Sequence, residues 1–273
     1  MIEIAEAHVY AIEMTEKLKG KTITDVKVLQ APHAFCWMSE EPSYYAHHLP
    51  GLVITGVTSS AHYVRIHLSD DKEIAIGEDV SLEYKREDLI SKKNQLVLIF
   101  DDHFALEFKI KLYGFILYGE PIEMKSKMLY YQKALESIHP LDLRFTYEYF
   151  IETTGLNTNK GSVKAALATE QHIPGLGNGT LQDILFHANI SPKRKVSSLS
   201  DDDKKGLYDA VKSTINEMMA LGGRDLQTNM FGVKGGYEVL MKNERTHCSI
   251  CQTELQKEAF LGGKVIYCPH CQK

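Results

Sequence analysis

Apolar and polar positions alternate with a period of two along most of the first half of the chain. The runs at 22–29, 52–58, 63–68, 73–76, 95–100, 104–108 and 115–118 all read this way. In the third of them Tyr63, Arg65 and His67 stand opposite Val64, Ile66 and Leu68, as in a half-buried strand. Each run is short and bounded by Gly, Asp, Ser or Asn, which predicts a sandwich or barrel. Asp101-Asp102, between two apolar runs, suits a hairpin turn. Helices are expected at the start of this half, over 7–18 with Gly20 as its stop, and again at its end.

The period then changes to that of a helix. Residues 147–154, 162–169 and 180–188 predict short helices, the last opened by the glycine turn at 175–179. Ser200 is a suitable cap for a longer helix whose first turn holds Asp201, Asp202 and Asp203, acids placed at the positive end of the helix dipole. Its apolar stripe is Leu207, Val211, Ile215 and Met218-Met219, ended by Gly222-Gly223. The fold class is therefore α+β: a strand-rich segment 1–139 ending near His139-Pro140, a helical segment 140–240, and a cysteine-bearing segment 241–273.

A length of 273 residues agrees with roughly two domains. At 44% hydrophobic and 25% charged residues the chain has ordinary globular composition, which excludes wholesale disorder. No apolar run approaches the roughly 20 residues of a membrane span, and no basic-then-apolar leader opens the sequence. A soluble intracellular protein without membrane partners is expected. Residues 1–139 carry 15 Lys+Arg against 21 Asp+Glu (−6), and residues 140–273 carry 16 against 15 (+1), giving the net −5. A duplex binder gains affinity by replacing counterions with Lys and Arg, so this balance argues against indiscriminate coating of DNA. A local basic groove remains compatible with it, because the field at one face matters more than the sum.

The sharpest chemical signal is Cys248-x2-Cys251-x16-Cys268-x2-Cys271. Two short pairs on tight knuckles bring four thiolates to the corners of a tetrahedron, which suits one structural Zn2+. Two disulfides are the competing reading; the missing secretory leader and the odd fifth cysteine, Cys36, weigh against it. With four thiolates no coordination position stays open, so the metal would fold a β-hairpin over 254–267 and do no chemistry.

The second signal is Pro174-Gly-Leu-Gly-Asn178-Gly179, between two predicted helices. A glycine turn opening a helix points backbone N–H groups and a positive dipole end at an anion, and Asn178 adds a side-chain donor. The same glycines also suit a tight interhelical turn needing positive φ. Residues alone leave both readings open.

Gly161-Ser-Val-Lys-Ala-Ala-Leu through Asn178, followed by 180–190 and Pro192, resembles the helix–two-turn–helix region of the formamidopyrimidine-DNA glycosylase / endonuclease VIII family. The ending Tyr267-Cys-Pro-His-Cys-Gln-Lys273 is similar to that family's zinc finger, and Met1-Ile-Glu-Ile-Ala-Glu6 to its Met-Pro-Glu-Leu-Pro-Glu opening. Gly77 and Tyr113-Gly114 fall on its β-sandwich strands. The resemblance implies a two-layer β-sandwich domain, a helix–two-turn–helix domain with a four-cysteine zinc finger, and a monomer. It further implies a nucleoid-associated cytoplasmic protein of base excision repair that flips damaged bases out of double-stranded DNA and excises them.

Family chemistry uses the mature N-terminal amine, normally of proline, to attack the sugar C1′ and form a Schiff base; an α-amine, with pKa about 7.7–8, retains a useful neutral fraction. Here the second residue is Ile2, whose bulk hinders removal of Met1, so the terminal amine stands one residue, about 3.8 Å, from the family position. Misplacement near 1 Å can cost about 10²-fold. The family's catalytic lysine falls at His62, its gap-filling methionine at Glu78, its opposite-strand arginine at Leu112 beside Lys111, and its zinc-hairpin arginine at Gly263, with Lys264 one residue later. Tyr113 remains as an aromatic wedge. Glu3 matches the acid/base at the sugar, and Glu6, Lys164 and Asn178 also survive, the last two as nucleic-acid contacts.

Two functions follow: a glycosylase with altered chemistry using Glu3, Glu6 and His62, or a non-catalytic homologue gripping distorted or abasic DNA or structured RNA. Lys193-Arg194-Lys195 either holds a phosphate backbone or is a solvated loop. Gly235-Gly236-Tyr237 either covers a flipped base or is a turn. Trp37, Tyr44 and Tyr45 read as core or loop packing.

Overall fold

The computed structural model describes residues 1–273, the side chain of Lys127 left aside. The chain forms two compact units, Met1–Glu136 with Leu226–Gly235, and Ser137–Asp225 with Gly236–Lys273.

The first unit opens with helix α1 (Ile4–Leu18). Its stripe Ala7, Tyr10, Ala11, Met14 and Leu18 is buried in the main core, the i, i+3, i+4, i+7 spacing of a helix with one apolar face. The helix starts one turn before the expected residue 7, because Glu3 and Glu6 form a reciprocal capping box. Then follow β1 (Ile23–Val28), β2 (Cys36–Met38), α2 (Pro42–His48), β3 (Ile54–Ser60), β4 (Tyr63–Leu68), β5 (Glu73–Arg86), β6 (Leu96–Phe100), β7 (Phe104–Gly119), α3 (Pro121–Lys127) and α4 (Leu129–Glu136).

The strands form one sheet in the order β1-β6-β7-β5-β4-β3, with β2 added in parallel on β7. The expected separate strands at 104–108 and 115–118 are one continuous β7, and the expected strand 73–76 runs on to Arg86. Their pairing carries through the glycines from Glu73↔Gly119 to Arg86↔Phe104, with a bulge between Glu78 and Val80. A bulge bends both long strands where a period-two pattern breaks. The first halves of β5 and β7 pair with β4 and β6 respectively, so the sheet turns back on itself. Its two edges meet where Thr22 bridges Val53 and Ile23 N–H donates to Leu52 O at 2.9 Å. Inward residues of both halves, among them Val64, Ile66, Ile76, Leu82, Leu98, Phe108 and Ile116, share one core. This is the predicted two-layer sheet domain.

The second unit holds α5 (Tyr147–Thr154), a π-helical turn (Ala165–Thr169), α6 (Asn178–His187), α7 (Asp201–Ala220) and the hairpin β8 (Gln256–Phe260) and β9 (Gly263–Tyr267). The expected helix 162–169 is thus mostly one widened turn. Ser200 caps α7 as predicted, accepting from Asp203 N at 3.1 Å while Asp203 accepts from Ser200 N at 2.9 Å. Leu207, Val211, Ile215 and Met218 form its buried stripe. Helix α6 lies under the cysteine segment, where Phe186, Met241, Leu255 and Ile266 share a small core with Cys248 and Cys268.

Candidate active site and nucleic-acid interface

In the first unit the bulge of β5 gathers the residues expected to be chemical. Ile2 is buried in the main core, and its N–H donates to Glu78 O at 2.7 Å. The Met1 amine lies 2.8 Å from Asp79 Oδ1. Glu3 and Glu6, 4% and 5% exposed, sit on the first turn of α1, where Glu3 N–H donates to Glu6 Oε2 at 3.1 Å. Asp79 has no counterpart among the sequence candidates, because one acid in an acidic run carries no distinguishing signal.

Glu78 adopts φ +69°, a left-handed conformation costing a non-glycine residue of order 1 kcal/mol or more. Its carboxylate is 3.1 Å from Nε2 of the buried His62. Gly77, next to it, lacks a Cβ for a packing reason: that atom would stand 3.0 Å from the Tyr63 ring. The Glu78 carboxylate is therefore turned onto an imidazole of its own domain. Tyr113 is half-buried on β7; burial first, then the Glu78 carboxylate, pushes its phenol up to about 12. It stays protonated at neutral pH and presents both a ring and a donor.

In the second unit Lys164 is 2% exposed. Its ammonium donates to the carbonyls of Phe260 and Leu261 in the β8–β9 turn, and burial lowers its pKa from the ordinary lysine value. Lys164 thus already holds the hairpin turn, a task the sequence does not disclose. Asn178, the first residue of α6, reaches the same place: a Cβ on Gly263 would come within 2.3 Å of Asn178 Nδ2 and 3.4 Å of Lys164 Nζ. A side chain at Gly263 would therefore displace the Asn178 amide from this place. Lys264 is exposed on β9.

Asp183 also lies outside the sequence candidates, although an acid inside the run Leu181 to Phe186 is a signal of buried polar duty. It accepts from Leu240 N and Met241 N, both at 2.8 Å. Burial raises its pKa against the pull of those two donors. Gln182 accepts from Ile266 N, so consecutive side chains of α6 anchor the cysteine segment.

The four cysteine sulfurs lie within 4.8 Å of one another, with Cys251–Cys268 at 3.5 Å and Cys248–Cys271 at 3.9 Å. Four thiolates at about 2.3 Å from one Zn2+ stand roughly 3.8 Å apart, so the set fits a closed tetrahedral ion. Ile250 N and Cys271 N each donate to a cysteine sulfur at 3.4 Å, stabilising thiolate charge at both knuckles.

The basic run divides between partners: Lys193 pairs with Glu258 at 3.1 Å and Arg194 with Asp203 at 2.6 Å. Tyr237 is buried and bridges Arg224, and Gly236 N–H donates to Leu221 O at 2.7 Å. Tyr45 is buried in the core, whereas Trp37 packs on Phe115 with 43% of its surface exposed.

The family model for the formamidopyrimidine-DNA glycosylase H2TH domain matches residues 137–230. Over the full length of both proteins the chain is 28% identical to a formamidopyrimidine-DNA glycosylase of Listeria monocytogenes serovar 1/2a. It is 26% identical to that of Shouchella clausii, covering all of this chain and 99% of the relative. The Lactococcus lactis Fpg, solved in complex with abasic-site DNA, superposes with TM-score 0.86 at 20% identity over 99% of each chain.

Residues 137–230 thus carry the formamidopyrimidine-DNA glycosylase H2TH domain, and the whole chain is similar in sequence and fold to formamidopyrimidine-DNA glycosylases. Among the described residues no helix is long and apolar enough to cross a membrane.

Proposed function

We propose that this chain is a member of the Fpg/Nei family, binds damaged double-stranded DNA and works in base excision repair as a monomeric glycosylase. The carrying observation is the pair of buried carboxylates Glu3 and Glu6 on the first turn of α1. Carboxylates so thoroughly removed from water are uncommon unless they are paired or have a task. Glu3 acts as general base toward the nucleophile at C1′, water or the Met1 amine, while the C1′–N bond breaks and the base departs with its electron pair. Glu6 and Asp79 are positioning residues, Glu6 through its bond to Glu3 and Asp79 through the amine it holds. His62, 3.1 Å from the Glu78 carboxylate, is the nearby imidazole.

Asn178 and Lys264 line the phosphate-binding side of the second unit, Lys164 braces the hairpin turn beside them, and one Zn2+ on Cys248, Cys251, Cys268 and Cys271 folds the hairpin that carries Lys264. A phosphate contact carries no base information, so Asn178→Ala is expected to weaken binding to every duplex sequence by a similar factor. Fluorescence anisotropy over a salt series checks this, and unchanged affinity would reject the phosphate role.

The function itself is tested with duplexes bearing single lesions, an abasic duplex and a structured RNA as competitor. Release of a free base from at least one lesion duplex, with the RNA competing poorly, is the expected result. Binding without release from any of them would instead establish the non-catalytic reading. Borohydride present during the reaction separates the nucleophiles, because only attack by an amine leaves a reducible covalent adduct.

A further inference from the structure

We propose that β2 carries a second base-stacking surface, on which Trp37 and Phe35, continuous with Tyr113, receive nucleobases that lose their stacking partner at the lesion. The inference rests on the proposed function and names the part of the DNA that this face meets.

Strand β2 is only three residues long and lies in parallel on β7, with Cys36 opposite Gly114 and Trp37 opposite Phe115. Alternation sends Cys36 and Met38 toward the main core and Phe35 and Trp37 the other way. Outside, the Trp37 ring stacks on Phe115 (centroids 5.2 Å, 28° between planes) and meets Tyr113 edge-on at 6.2 Å. Phe35 follows at 6.2 Å from Trp37. Phe35 is 57% and Trp37 43% exposed, so a contiguous aromatic surface faces water where the core makes no use of it. An exposed apolar cluster of this kind marks a binding surface.

The ligand chemistry follows from the neighbours. Every nucleobase has a π face, and stacking on exposed aromatic rings is sequence-tolerant. The exposed Lys111, on the strand that carries Tyr113, supplies the positive charge a phosphate backbone needs. Glu78, in the position expected to fill the gap in the stack, is committed to His62 at 3.1 Å, and a carboxylate inserted among bases would meet both desolvation and phosphate repulsion. Support for the opened stack then falls to the rings beside it.

Trp37 is the sole tryptophan, so its emission reports on this face alone. Titrating the full-length protein with an abasic duplex is expected to quench that emission, and the same duplex without the lesion to quench it less. Trp37→Leu and Phe35→Ser are each expected to weaken abasic-duplex binding by roughly 5- to 150-fold, with little change in melting temperature because both rings are exposed. Trp37→Phe should recover most of the loss.

Unchanged emission at saturation, with Trp37→Leu binding as tightly as the parent, would overturn the stacking surface and leave the proposed function standing. A Trp37→Leu protein that falls from dimer to monomer with unaltered DNA affinity would overturn it in favour of contact between two copies of the chain. A parent protein showing no preference for damaged duplex would overturn the proposed function and this surface together.

Discussion

Glu3→Gln is expected to slow base release by about 10²–10⁴-fold, the usual contribution of a positioned acid or base, while leaving duplex affinity nearly unchanged. The substitution separates two duties of this residue. Glu3 N–H donates to Glu6 and the Glu3 side chain accepts from the backbone of the first turn of α1. A glutamine oxygen still accepts that bond, so the cap survives and only the proton-handling oxygen is lost. Glu3→Ala removes both and should additionally destabilise the helix start by about 0.5–2 kcal/mol. Single-turnover base release, measured with calorimetric unfolding of the same proteins, resolves the two effects. If Glu3→Gln releases base at the parental rate, Glu3 is a helix cap and nothing more.

Cys268→Ser is expected to take zinc from about one ion per chain to near none and to unfold the segment carrying β8 and β9. The apolar set around the cysteines is small, namely Phe186, Met241, Leu255 and Ile266, and segments below about 40 residues seldom hold a fold without a metal or disulfides. Structural zinc supplies an apparent 10–16 kcal/mol or so of folding free energy in small zinc modules. Loss of the hairpin also strips Lys164 of the carbonyls of Phe260 and Leu261, leaving a buried ammonium without acceptors, and removes the wall against which Asn178 packs. DNA affinity should therefore fall together with metal content. Zinc analysis, amide exchange across 248–271 and duplex titration test the sequence of events. A chelator should reproduce the loss reversibly in the parent protein, and a Cys268→Ser chain that keeps a full equivalent of zinc would refute the closed four-thiolate site.

Much of this site is readable from residue types because the chemistry is local in sequence. Cys248-x2-Cys251 and Cys268-x2-Cys271 define two knuckles whatever surrounds them, and Ser200 with three following acids defines a helix start. The four sulfurs within 4.8 Å and the Ser200–Asp203 box follow directly. Expectations weaken where a residue's role depends on something distant in the chain. Lys164 is expected as a nucleic-acid contact, yet it holds a turn 96 residues away. Gly263 looks like a lost arginine, yet Asn178 occupies the space a side chain would need. Trp37 reads as core or loop packing, and strand alternation decides between them by turning its neighbours Cys36 and Met38 inward.

Sequence by itself determined the strand-rich first half, the helical second half, the α7 cap and the metal-ligand set, since periodicity and ligand spacing act over a few residues. Tertiary structure alone decided that β5 and β7 run unbroken through Gly77 and Gly114, because cross-strand pairing outweighs local strand-breaking tendency. It also decided that Glu78 faces His62, that Asp79 meets the Met1 amine, and that an aromatic face opens on β2. Those outcomes depend on which backbones the sheet brings together, and no short window of sequence contains both partners.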